Sequence, residues 1–528
     1  MIETALGTSI AFTAPHRLAT KAGYDILEAG GTAVEAMVAA AAQIAVVYPH
    51  MNSVGGDGFW LIKKEGKNPV AISACGPAAQ NANLDWYAEK GHSKTIPTRG
   101  PLAALTVPGT ISGWQLALEL DRSVSPIPLT ELLSAAINKA KIGIAVSKNQ
   151  YDTLKSKELE LADVPGFKEF YFTENDVPKA GSKLIQAKLG ETLERLSRAG
   201  LGDFYTGELG QTHAKFLQQQ GSPLTHDDFK KFRAEVQKPL SINTSVGKLF
   251  NLGPPTQGMS SLAILGIYDR IKTESHDDFN FVHRLVEATK QAFITRNLEL
   301  GDPTTMRTSP ERFISDTYLD KSTSKISLTK AMDWPEVAKK GDTIWMGAVD
   351  SEGTVVSFIQ SIFWEFGSGV ICPETGVLFQ NRGAGFSLSP GPNCLAPGKK
   401  PFHTLNPAMA VMNDGRIVSY GTMGGEGQPQ TQAAIFARYA FHGCDLQRAI
   451  SAPRWLLGKT WGDDTTSLKL ESSFDAKLIN ELREANHQVE IVSENNSLMG
   501  HAGSVVSHPD GRVEAASDAR SDGIALAG

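Results

Sequence analysis

The chain has 528 residues, 41 % of them hydrophobic and 20 % charged, so it can build a large buried core and reads as globular rather than disordered. A formal net charge of −6 argues against nucleic acid or an anionic membrane as the main partner. The four cysteines, Cys75, Cys372, Cys394 and Cys444, lie far apart with no CxxC pair, which argues against a disulfide framework or a metal cluster.

Met1-Ile2-Glu3-Thr4-Ala5 lacks the basic stretch and apolar core of a secretion signal, and the cytoplasm is the expected compartment. His16 to Ala29 has helical periodicity and stops at Gly30-Gly31. Thr32, with Glu35 three residues on, makes a capping box for a second helix running to Val47. The apolar run from Ala36 to Tyr48 is too short to span a bilayer and contains Gln43, so it predicts a helix buried on all sides.

Pro49 to Trp60 is a glycine-rich turn leading into a strand through Leu61-Ile62. It is no nucleotide motif, because Leu61 stands where GxGxxG needs its last glycine. Gly100 to Leu118 reads as a loop and then a helix. Residues 129–220 predict scaffold helices at Leu129 to Ala140, Leu184 to Arg198 and Thr212 to Gln219. Leu252 to Ser261 is a breaker-rich turn into a helix, and Phe281 to Asp302 a long amphipathic one. Lys321 to Asp342 is polar and weakly periodic, as an exposed linker would be.

Thr343 then opens a hydrophobic strand, Asp350-Ser351-Glu352-Gly353 makes a turn, and Thr354 to Ser361 returns as the second arm of a hairpin. Short strands follow near Gly376–Phe379, Ala408–Met412 and Arg416–Tyr420. Pro429 to His442 is a helix closed by Gly443, and the last segment, with Ser504-Val505-Val506 and Ala515 to Asp518, reads as a final sheet edge.

Rival chemistries find little support. No GxSxG nucleophile elbow occurs. Gly458-Lys459-Thr460 mimics the end of a P-loop, but Pro453 occupies the required earlier glycine. His50, His283 and His442 form no HExxH or other ligand spacing and read as satisfied or surface histidines.

The stretches Gly341 to Asp350, Pro401-Phe402-His403-Thr404-Leu405-Asn406-Pro407 and Ser419 to Gly427 together resemble the γ-glutamyltransferase family of N-terminal-nucleophile hydrolases. The resemblance runs from Ala14-Pro15-His16 to Ala516-Ser517-Asp518. It implies an α+β fold, a four-layer αββα sandwich with two antiparallel sheets between helical layers. It implies self-cleavage between Asp342 and Thr343 into fragments 1–342 and 343–528, which stay together as a heterodimer in one catalytic unit. The polar linker would then be the tail released at Thr343.

Such cleavage has a chemical logic. A threonine hydroxyl is a poor nucleophile at neutral pH, and a free α-amine with a pKa near ~8 can take its proton. That amine exists only after the bond breaks. By the same resemblance Ser361 supports the nucleophile, and Gly424-Gly425, between a strand and a helix, supplies the oxyanion donors. No cofactor and no metal is implied.

The substrate pocket departs from the γ-glutamyl pattern. Cys75 stands where those enzymes place a carboxylate-gripping arginine, Phe363 where they use an asparagine, and Gly385 where an aspartate holds the α-amino group. His403-Thr404 replaces a serine pair. These changes argue against glutathione as substrate. Arg382 remains as a candidate carboxylate anchor or, on the bland reading, half of a structural ion pair. His403 and Thr404 would assist it.

The pattern most resembles the branch that contains oxamate amidohydrolases, which implies hydrolysis of a small carboxylate-bearing amide in purine (allantoin) breakdown. A γ-glutamyl hydrolase or transferase, a cephalosporin-type acylase and an uncleaved scaffold protein are the alternatives. Neither nucleic acid nor membrane is expected as a partner.

Overall fold

The computed structural model describes residues 3–121, 123–334, 342–458 and 466–528. The lysine-bearing run through Lys339-Lys340, the Asp342 side chain and the Lys459-Thr460 pair lie outside the description. Among the described residues no helix is long and apolar enough to cross a membrane.

Fourteen strands build the two central sheets: β1 (Ala5–Gly7), β2 (Ala11–Ala14), β3 (Asp57–Lys63), β4 (Val70–Ala74), β5 (Glu235–Gln237), β6 (Leu240–Thr244), β7 (Gly247–Asn251), β8 (Asp342–Val349), β9 (Val355–Phe363), β10 (Ala408–Met412), β11 (Ile417–Thr422), β12 (Ala502–Ser507), β13 (Val513–Ser517) and β14 (Ile524–Ala527). One sheet runs β1-β13-β12-β11-β10-β7-β6 and the other β14-β2-β8-β9-β3-β4-β5, both antiparallel throughout. Helices α1 (Arg17–Glu28), α2 (Ala33–Val47) and α3 (Thr110–Asp121) cover the second sheet, and α4 (Gly258–Ile271), α5 (Phe279–Glu299) and α6 (Gln428–Phe436) cover the first. The result is the four-layer αββα sandwich.

Strand β8 shows why the layers form. Ile344, Met346 and Ala348 face the helical layer, while Trp345 and Val349 enter the core between the sheets, as a two-residue period requires. The Trp345 indole fills that core only because Gly347, Gly421 and Gly503 surround it. A Cβ on Gly421 would lie 2.2 Å from the ring.

Thr32 and Glu35 form the capping box, and all of α2 is buried. Asp350 closes the β8–β9 turn by accepting from Thr354 N (2.8 Å) and docks it on the helical layer by accepting from Ala33 N (2.9 Å). All four cysteines are free.

Several boundaries differ from the sequence reading. Strand β3 starts at Asp57 rather than Leu61, taking in the last four residues of the glycine turn. The 129–140 helix breaks at Leu133 into Leu129–Leu132 and Ser134–Ile142. Leu184 belongs to a short strand ahead of a helix at Ala187–Ala199, and the helix around Thr212 begins at Glu208. A helix at Lys148–Leu161 escaped notice because only Gln150, Thr153, Leu154 and Leu161 on it are buried, too few for an apolar stripe. Gly376–Phe379 makes isolated bridges rather than a strand.

Lys321 sits in a helix at Asp316–Thr323 rather than in a linker. The expected C-terminal edge is interior, since β12 lies between β11 and β13, and β13 between β12 and the N-terminal β1. Pairing across the full length of the chain leaves no local signal.

Candidate active site

In the β8–β9 pairing Asp342 faces Phe363 and Ile344 faces Gln360, so Thr343 opposes two residues, Ser361 and Ile362. That bulge ends regular pairing at the candidate nucleophile. Thr343 is 1 % exposed, and Gln428 Nε2 donates to its Oγ at 3.3 Å. Ser361 Oγ accepts from Phe363 N at 2.8 Å, which helps hold Phe363 at a φ of +84°.

The glycine turn follows β11. Gly424 and Gly425 adopt φ values of +114° and +52°, where a side chain would be strained. Neither amide donates to a protein group among the described residues. One helical turn on, Gln428 reaches Thr343, so the turn and the N-terminus of α6 lie beside the candidate nucleophile. Gln257 Nε2 donates to both Gly425 O (2.8 Å) and Thr404 O (2.7 Å), tying the glycine turn to the His403-Thr404 segment. Arg296 Nη1 holds Gln257 Oε1 at 3.0 Å and pairs with buried Glu426.

The second cluster centres on Asp57, a residue the sequence reading passed over. Its Oδ1 accepts from Gly76 N (3.3 Å), Gly109 N (3.1 Å) and Gln380 Nε2 (3.0 Å), and its Oδ2 lies 3.1 Å from His403 Nε2. Burial pushes Asp57 up to about 7, opposed first by the charge of Arg382 and then by these donors. Burial holds His403 well below the usual imidazole range, with Arg382 adding to the effect.

Arg382 is 1 % exposed. Its Nη2 donates to Thr404 Oγ1 at 3.2 Å, and the guanidinium carbon sits 3.8 Å from the centre of the Phe363 ring. Its Nε and Nη1 have no hydrogen-bond partner, and no carboxylate lies within ion-pair distance among the described residues. Burial pushes Arg382 down to about 9, opposed by Asp57 and then Cys75. The ion-pair reading of Arg382 therefore fails: Asp57 acts on it through space without touching it.

Cys75 is buried nearby, its thiol pushed up to about 12 by burial, so it is inert packing. At Gly385 an added Cβ would come within 3.8 Å of Phe363, whose ring occupies this part of the site.

The structure thus joins Arg382, His403, Thr404 and Phe363 in one cluster, and sets Thr343, Ser361 and the glycine pair in another. Gln257 and the short Ser361–Phe363 link bridge the two. Asp57, Gln257, Asn406 and Gln428 were missed. Asp57 carried a signal, being a carboxylate that opens the wholly apolar Phe59-Trp60-Leu61-Ile62. Gln428, Gln430 and Gln432 carried another, as polar residues in a helix that lies entirely buried.

His283 is satisfied, as read. It lies 2.8 Å from His487 Nε2 and donates from Nε2 to Ser327 O. Glu287 joins the two histidines, but Lys290 already supplies the cation there, 2.6 Å from its carboxylate.

The gamma-glutamyltranspeptidase family model matches residues 19–528. An oxamate amidohydrolase proenzyme from Klebsiella pneumoniae subsp. pneumoniae is 49 % identical over 515 residues, 97 % of each chain. A glutathione hydrolase-like YwrD proenzyme from Bacillus subtilis is 38 % identical and covers 100 % of both chains. Among solved structures, a cephalosporin acylase from Bacillus halodurans superposes with a TM-score of 0.91 at 27 % identity, over 100 % of this chain and 97 % of that one. Sequence, sandwich and relatives agree that the chain belongs to the gamma-glutamyltranspeptidase family, as an N-terminal-nucleophile amidohydrolase.

Proposed function

We propose that the chain cuts itself between Asp342 and Thr343 and then hydrolyses the amide of a small carboxylate-bearing substrate, with oxamate the first candidate. Oxamate and water would yield oxalate and ammonia, a step suited to purine (allantoin) breakdown. The observation that carries the substrate class is Arg382, a buried guanidinium with two nitrogens, Nε and Nη1, whose N–H groups are unmet. A buried cation with unmet donors calls for an anionic acceptor, and the fork geometry of arginine suits a carboxylate. The 49 % identity to an oxamate amidohydrolase proenzyme points the same way.

In processing, Thr343 Oγ attacks the Asp342 carbonyl, the acyl group shifts from nitrogen to oxygen, and water cleaves the ester. Fragments 1–342 and 343–528 result. They would stay together, since β8 of the second lies between β2 of the first and β9, and β1 of the first edges a sheet whose next four strands belong to the second. In turnover the freed amine takes the Thr343 hydroxyl proton, Oγ attacks the amide carbon, and the Gly424 and Gly425 amides receive the oxyanion. Ammonia leaves and water resolves the acyl-enzyme.

The test is N-terminal sequencing of the purified protein, followed by an ammonia-release assay with oxamate and a parallel assay with glutathione. A fragment beginning at Thr343 and ammonia from oxamate are expected. An uncut chain would refute the nucleophile, and turnover of glutathione alone would refute the substrate class.

A further inference from the structure

Gln428 Nε2 lies 3.3 Å from the Thr343 hydroxyl and donates to it. Which end of its amide faces Thr343 decides what it can do, and the surroundings fix that. Leu252 N donates to Asn251 Oδ1 at 2.8 Å, which turns the Asn251 NH₂ toward Asn406 Oδ1 (3.4 Å). Ser261 Oγ also donates to Asn406 Oδ1, at 2.7 Å. The Asn406 NH₂ group therefore faces the other way, donating to Thr404 O at 3.0 Å and to Gln428 Oε1 at 3.1 Å. With its oxygen so engaged, Gln428 presents an N–H to Thr343.

Asn251, Asn406 and Gln428 are all fully shielded from solvent. A main-chain amide thus sets the polarity of a relay that ends on the nucleophile, and water does not compete for it.

We propose that Gln428 is a catalytic residue, the hydrogen-bond donor that stabilises Thr343 Oγ as a leaving group when the ester is hydrolysed. The inference rests on Thr343 being the nucleophile. In that step water adds to the ester carbonyl, the C–Oγ bond breaks, and its electron pair goes to Oγ. Oγ then takes a proton from the Thr343 α-ammonium as the carboxylic acid departs. In this step charge develops on Oγ as that bond breaks, so a donor aimed at Oγ favours this transition state over the ester. Both esters, that of Asp342 during processing and that of the substrate during turnover, pass through it.

The test compares wild type, Gln428→Met and Gln428→Glu. Methionine keeps the bulk without hydrogen bonding, whereas glutamate keeps an oxygen for Asn406 but loses the donor. Timed cell-free synthesis followed by denaturing gels, with and without hydroxylamine, reads the processing ester, which hydroxylamine cleaves directly. In both variants cleavage should slow about tenfold, the effect of one neutral hydrogen bond, and hydroxylamine should restore it. Rapid-mix ammonia release should show a burst of one equivalent before a slower steady rate.

A misfolded variant would gain nothing from hydroxylamine, so rescue separates chemistry from damage. If wild type is cut at Thr343 and both variants process at its rate with no hydroxylamine-sensitive species, the Gln428 role is overturned. If wild type itself is never cut, the nucleophile reading falls and this inference with it.

Discussion

Asp57 Oδ2 and His403 Nε2 lie 3.1 Å apart, both shut off from solvent. Leu405 N donates to His403 Nδ1 at 3.4 Å, so the imidazole carries its proton on Nε2 and donates it to Asp57. His403 is thereby a neutral spacer, and the charge balance of this buried cluster is set between Asp57 and Arg382.

That balance predicts a pH-dependent KM. Asp57 titrates near 7, raised by burial. Below that value it is neutral and leaves Arg382 as an uncompensated buried cation; above it, the carboxylate offsets the charge the substrate needs. KM for an anionic amide should therefore rise with pH through about 7, and Asp57→Asn should flatten the rise. The folded state also binds more protons than the unfolded chain between the ordinary carboxylate range and about 7. This group's contribution to stability accordingly falls as pH rises across that window. Urea midpoints of wild type and Asp57→Asn at several pH values check the second effect, and a KM that ignores pH would refute the first.

Arg382→Ala should leave self-cleavage intact, since its guanidinium meets Thr404 and Phe363, and should cut kcat/KM by about 100-fold or more by deleting a desolvated charge contact. Arg382→Lys should recover little of it, because an ammonium lacks the fork and the flat face that meets Phe363. Steady-state kinetics of the cleaved variants decides the matter. Normal turnover by Arg382→Ala would sink the anchor.

Thr343→Ala should remain one chain and be inactive, whereas Thr343→Ser keeps a hydroxyl and should still process. Intact mass reads both. A cut Thr343→Ala would move the nucleophile elsewhere.

Much of this candidate site was legible because the short stretches that carry the family resemblance also hold its residues. Thr343 sits at a strand start after a polar run, and Gly424-Gly425 sits between a strand and a helix. The capping box at Thr32 is likewise local. Asp57 was hidden because its donors come from Gly76, Gly109, Gln380 and His403, residues that only the folded chain gathers. Gln428 was hidden for the same reason, its orientation resting on Asn251 and Asn406 from two other strand ends. The family resemblance implied the layers, and long-range pairing supplied the edges, which is why β13 was taken for an edge when β1 covers it.

The core between the sheets offers a stability test independent of the chemistry. Gly421 belongs to β11, the strand that leads to Gly424, and the Trp345 indole lies where a Gly421 side chain would go. Its ring is also pinned by Nε1, which donates to Ser357 Oγ at 2.9 Å, so it cannot rotate away without leaving a buried donor unmet. Gly421→Ala should therefore cost about 3 kcal/mol, the upper range for overpacking a dense core. Because Trp345 is two residues from Thr343 on β8, the strain should also slow self-cleavage. Urea unfolding of the uncut Thr343→Ala background, with and without Gly421→Ala, isolates the packing term from any effect of cleavage. A midpoint unchanged by the added methyl group would mean that the two sheets can part at Trp345, and that this core does not hold the nucleophile strand in place.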